Sequence, residues 1–203
     1  MTRALLLLAC TLACAARGAA PQLLPVPLVS QATSYSCGAA ALMSVLLYFE
    51  VYDGPEKDLH GPLGVSAEHG TRPAAMVAVA REHGLQAEVR TGLELEDLRR
   101  ALAGGAIVIL DVQAWPEHPG GRWEDRWEDG HYIVLVGMDE RNLYAMDPSV
   151  RGAYGFMPLA ELPSRWHDYE HDGAGRVGNR RLGIVVRGRR PVAAFPGTPV
   201  RIE

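Results

Sequence analysis

The run CGAAALMSVLLYF, Cys37 to Phe49, constrains the fold more than any other stretch of this chain. Its length and composition predict a helix. Ala39, Ala40, Leu42, Met43, Val45, Leu46, Leu47 and Phe49 leave it almost no polar face. A helix that is apolar nearly all round has to run through the interior, with the other elements packed around it. Ser34 or Ser36 is placed to cap its first turn.

The chain opens MTRALLLLACTLACAARGAAP: Arg3 is the only charge before an apolar run from Ala4 to Ala16, and small residues follow Arg17. This is the pattern of a secretory signal over residues 1–20. The run is shorter than the about 20 residues of a permanent membrane helix, and no later stretch is longer, so no stable membrane span is expected. Cleavage after Gly18 fits a signal peptidase. Cys10 and Cys14, each preceded by Ala, fit a lipoprotein site instead. The expectation is an exported protein, periplasmic or secreted, with a lipid anchor at Cys10 or Cys14 as the variant on simple cleavage.

The rest reads as one domain, residues 25–187, followed by an extended tail, 188–203. A net charge of -4 with both signs interspersed provides no basic face for nucleic acid. Outside the leader Cys37 is the single cysteine, so an internal disulfide is impossible. An oxidising compartment favours paired cysteines or none, and a solitary thiol there is either a small buried hydrophobe or a reactive group.

Residues 51 to 72 carry turn formers without a period. RPAAMVAVAREHG then reads as a helix with proline at its first turn and glycine after its last. LQAEVRT reads as a strand, ELEDLRRALAGG as an amphipathic helix and AIVILDVQ as a buried strand. Residues 114 to 130, in which RWED occurs twice, form a long loop. HYIVLVGM and NLYAMD follow as a hairpin, and LGIVVRG is a last strand. The fold class is α+β: helices first, an antiparallel sheet after.

Cys37 sits at the mouth of the buried helix, where unpaired N–H groups and the helix dipole favour a thiolate. His131, opening a strand after the long loop, is the best placed of the seven histidines to act as its base. Asp147 ends the partner strand. If the turn leaves an odd number of residues unpaired, such as Asp139 to Arg141, Asp147 lies opposite Ile133 and diagonally beside His131, and a one-residue slip would separate them. Gln31 is a candidate oxyanion donor alongside the Cys37 N–H. Trp115, Trp123, Trp127 and Gly130 are candidates for a substrate-binding wall, or simply pin the loop to the core. In WHDYEHDG, His167 and His171 have a spacing that holds zinc on a helix, but glycine and proline nearby make a solvated turn the better reading; no metal and no cofactor is expected.

Singly, each of these residues has an ordinary explanation; together they match the nucleophile, base, orienter and oxyanion donor of acyl chemistry. QATSYSCGAAALMSVL followed by GHYIVLVGMDERNLYAMDPS resembles the bacteriocin-processing, double-glycine leader peptidases, specifically their stand-alone members. The resemblance implies a papain-like fold, a central helix bearing cysteine packed on a sheet bearing histidine and aspartate. It also implies a peptide or protein substrate and the roles of nucleophile for Cys37, general base and acid for His131, orienter for Asp147 and oxyanion donor for Gln31. Transporter-linked members commonly have Asp where this chain has Ser36, and carry membrane and ATPase domains that this sequence lacks. A peptide-binding module without activity, and a cell-wall amidase or acyltransferase using the same triad, are the alternatives.

Overall fold

A computed structural model describes residues 21–171, 175–189 and 200–202. The leader, with Cys10 and Cys14, and residues 190–199 of the tail lie outside the described residues. Five helices, α1 (Cys37–Tyr48), α2 (Lys57–Leu63), α3 (Pro73–Glu82), α4 (Leu95–Ala103) and α5 (Leu162–Arg165), pack with nine strands. The strands are β1 (Gln86–Arg90), β2 (Ile107–Gln113), β3 (Gly130–Met138), β4 (Asn142–Met146), β5 (Gly155–Pro158), β6 (His167–His171), β7 (Arg176–Arg180), β8 (Gly183–Arg187) and β9 (Val200–Arg201).

The main sheet runs β1-β8-β2-β3-β4-β5-β9, antiparallel throughout except for the parallel β5–β9 pair. Strand alternation divides its side chains between two cores. Ile107, Ile109, Tyr132, Val134 and Ile184 pack on α1 and α3, while Val108, Leu110, Ile133, Leu135 and Leu143 join Leu98 of α4 and Trp166. Covered on both faces, β2 is buried at all seven positions. As its composition requires, α1 has Ala39, Ala40, Ala41, Leu42, Val45 and Leu46 wholly inside.

Several local expectations change. Residues 51–72, read as turns, contain α2. Ser36 occupies the position before α1, but its hydroxyl does not cap the helix: it accepts from the Thr33 N–H (3.0 Å) and donates to the Thr33 carbonyl (3.3 Å), closing the preceding turn. The tail is not merely an appendage, since Arg201 pairs with Phe156 and Ile202 is buried. The segment around His167, expected as a solvated turn, is β6, hairpinned with β7. Its alternation, His-Asp-Tyr-Glu-His, is polar at four of its five positions and so gives no hydrophobic period to read.

Candidate active site

Cys37 is the first residue of α1 and half-buried. As the first helical residue its N–H has no intrahelical acceptor. Gly38 lets this end of the helix approach its neighbours: a Cβ there would stand 2.6 Å from Thr71 Cβ and 3.1 Å from the Tyr132 ring. Tyr132 follows His131 on β3, so this packing brings the helix mouth to the start of that strand.

The β3–β4 hairpin brings His131 and Asp147 together by a different route from the expected one. Met138 pairs with Leu143, so the turn leaves four residues, an even number that alone would slip the register. A bulge between Leu135 and Gly137 inserts one residue, Val136, and beyond it Leu135 pairs with Ala145 and Val134 with Met146. Continued one step, this register sets Asp147 opposite Ile133. His131 Nε2 then donates to Asp147 Oδ1 at 2.7 Å. His131 is 6% exposed and Asp147 is fully buried.

The Asp147 carboxylate accepts three hydrogen bonds, the His131 bond among them. Oδ1 also accepts from the Ser149 N–H (2.7 Å), and Oδ2 accepts from the Trp115 indole N–H (3.0 Å). Burial pushes its pKa up, but the His131 charge and these hydrogen bonds prevail and hold it below the ordinary carboxylate value. Burial likewise pushes His131 down, against the Asp147 charge and hydrogen bond and, after them, the hydrogen bond and charge of Cys37. These win, raising the imidazole to about 10. With Nε2 committed to Asp147, Nδ1 is the nitrogen left for the thiol.

Gln31 is tied to both halves of the site. Its N–H donates to the Pro148 carbonyl (3.1 Å), its Oε1 accepts from Ser149 Oγ (3.3 Å), and its Nε2 donates to Thr33 O (2.8 Å) in the turn that enters α1. Buried Glu56 braces the same segment by accepting from the Ala32 N–H at 2.9 Å.

The three tryptophans separate. Trp115 joins the His131–Asp147 pair through its bond to Asp147. Trp123 stacks on Arg165, whose guanidinium carbon is 4.0 Å from the ring centre, and Trp127 packs on His167, centroids 4.5 Å apart, and on Arg180. The latter two therefore fasten the long loop to α5 and to the β6–β7 hairpin. Gly130 makes room for another side chain, because a Cβ there would lie 2.0 Å from Asp168 Oδ2. His167 and His171 lie on one strand, about 13 Å apart at four residues' rise, beyond the reach of a shared ion. His167 Nε2 is bonded to the Arg126 carbonyl (2.6 Å).

Sequence reasoning missed the carboxyl pair beside this site. Asp111, 3% exposed, pairs across strands with Tyr132, and Asp168 reaches it from β6 over Gly130. Burial, then the charge and hydrogen bond of Asp168, then the charge of Cys37 raise Asp111 well above the usual range. Burial also raises Asp168, to about 6, against hydrogen bonds from Tyr169, Asp111 and Gln113. Asp111 thus keeps its proton and Asp168 accepts it. A lone acid in the apolar run AIVILDVQ was the signal.

The profile of the Peptidase_C39 like family matches residues 23–173. An uncharacterized protein of Methanothermobacter thermautotrophicus is 33% identical over 123 residues, 61% of this chain and 72% of that one; another, of Methanothermobacter marburgensis, is 32% identical over 124 residues with the same shares. Among solved structures, a C39-like peptidase from Bacillus anthracis superposes with a TM-score of 0.61 at 16% identity, over 84% of this chain and 99% of that one. A double glycine motif protease from an AMS/PCAT transporter, crystallised with a leader peptide, gives 0.57 at 21% identity over 85% and 98%. The peptidase domain of Streptococcus ComA, a bifunctional transporter of a quorum-sensing pathway, gives 0.54 at 18% over 81% and 99%. These structures share the papain-like α+β fold expected from the sequence. From a profile covering most of the chain, and relatives a third identical, it follows that this protein is a member of the Peptidase_C39 like family, cysteine peptidase-like hydrolases related to the double-glycine peptidases.

Proposed function

We propose that the chain is an exported cysteine peptidase acting through Cys37, His131 and Asp147. The observation that carries this reading is the buried His131–Asp147 ion pair, with Nδ1 left for the sulfur at a helix N-terminus. Cys37 Sγ attacks the scissile carbonyl carbon, and the resulting oxyanion is received by the Cys37 N–H and the second amide hydrogen of Gln31. His131 passes its proton to the departing amine, leaving a thioester on Cys37. The imidazole then takes a proton from water, whose oxygen attacks the thioester, and keeps it as the acid product leaves and the sulfur departs as thiolate, which restores the starting pair.

The substrate class is a peptide, and cleavage after a Gly-Gly pair is the specificity we assign, by analogy with the double glycine motif protease crystallised with its leader peptide. The test is digestion of synthetic peptides carrying Gly-Gly against Gly-Ala and Ala-Ala at the same place, followed by mass spectrometry. The reading requires cleavage carboxy-terminal to Gly-Gly by the wild type and none by Cys37→Ala. Cleavage that ignores the pair removes the specificity, and cleavage persisting in Cys37→Ala removes the mechanism.

A further inference from the structure

The long loop before β3 borders, with α5 and β9, an open cavity of about 280 Å³. Three arginines line it, Arg126, Arg165 and Arg201, with Trp123 and Pro116 as apolar walls, and no acidic residue lines it among the described residues. Arg165 is 0% exposed. Its Nε donates to the Gln113 carbonyl (2.9 Å) and its Nη1 to Glu161 (2.9 Å), while Nη2 is buried with no partner among the described residues. A buried guanidinium nitrogen without an acceptor is costly, and such groups normally find one.

The charges around the cavity say what kind of acceptor fits. Glu161 pairs with both Arg165 and Arg201, and Asp129 pairs with Arg126. Among the described residues, two carboxylates against three guanidiniums leave one positive charge unmatched, which suits a monoanion better than a phosphate dianion. Guanidinium geometry suits a planar carboxylate. The Trp123 face and Pro116 accommodate the methylenes attached to it.

We infer that this cavity binds a carboxylate-bearing group of a peptide, an acidic side chain or a chain terminus, with Arg165 Nη2 as its buried donor. The site lies outside the triad, although Pro116 directly follows Trp115, the donor to Asp147. Its occupancy is independent of any turnover at Cys37.

The test uses the full chain carrying Cys37→Ala, so that neither cleavage nor its failure affects the readout. N-acetyl-glutamate α-amide, its neutral glutamine counterpart and inorganic phosphate are titrated separately while the indole N–H resonance of Trp123 is followed by NMR. The carboxylate is expected to shift that resonance saturably and to bind at least about tenfold more tightly than the amide. Arg201→Gln, at an exposed position, is expected to weaken binding severalfold, and Arg165→Lys to abolish it. Equal response to acid and amide, indifference to Arg201→Gln, or tighter binding of phosphate than of carboxylate would overturn the inference.

Discussion

Nε2 of His131 stands 2.7 Å from Oδ1 of Asp147, and the carboxylate that holds it is wholly removed from solvent. Removing one partner of such a pair leaves a buried uncompensated charge, so the two residues stand or fall together in both stability and chemistry. The raised His131 pKa means that its contribution to stability is complete below the ordinary value of 6.5 and fades as pH rises through about 10. The lowered Asp147 pKa means that its own contribution is complete above 3.8 and is lost as pH falls through the depressed folded value.

Under the proposed mechanism, the alkaline limb of peptide hydrolysis is expected to report loss of the His131 proton that goes to the leaving amine. In the wild type this limb is expected above pH 8. Asp147→Asn removes the charge that holds the imidazole up, and the limb is expected to move acidward by more than one pH unit. A kcat/KM profile with an unmoved limb would show that Asp147 does not set the His131 pKa.

Trp115 acts on the imidazole at one remove, through its indole N–H to Asp147 Oδ2. Trp115→Phe keeps the ring and loses the donor, so kcat is expected to fall roughly 3- to 10-fold, from about 1 kcal/mol of lost hydrogen bonding, with KM little changed. A rise in KM alone would return Trp115 to the role of substrate wall.

Gly130→Ala places a methyl group 2.0 Å from Asp168 Oδ2. The carboxylate must then leave Asp111 and the Gln113 amide, which bonds it at 3.1 Å. Overpacking of this kind is expected to cost about 1–3 kcal/mol, measured by denaturant unfolding. An unchanged midpoint would show that β6 moves freely over the sheet.

The Asp111–Asp168 pair opposes the usual pH trend of a carboxylate. With the folded pKa of Asp168 raised to about 6, its stabilising contribution is complete below 3.8 and is lost as pH rises through about 6. Asp168→Asn mimics the protonated acid. Its melting temperature is expected to match the wild type near pH 4 and to exceed it above pH 7. Parallel melting curves from pH 4 to 8 would show that the two carboxyls are not coupled.

Much of this was legible in the sequence, and for identifiable reasons. The near-continuous apolar runs of α1, β2, β3 and β8 follow from their burial. Cys37, His131 and Asp147 lie on elements whose ends those patterns mark. The sequence left the His131–Asp147 register conditional on an odd turn, and an even loop with a bulge produces the same register. The β6–β7 hairpin stayed hidden because its strands are polar on both faces. Arg165 stayed hidden because a buried guanidinium depends on partners, Gln113, Glu161 and Trp123, that only folding gathers.

The central claim is that Cys37 and His131 form a thiolate–imidazolium pair, and the rate of Cys37 alkylation between pH 4 and 9 tests it most directly. Alkylation at pH 6 is expected to be at least about tenfold faster in the wild type than in His131→Ala. Equal rates in the two proteins across this range would contradict the pairing.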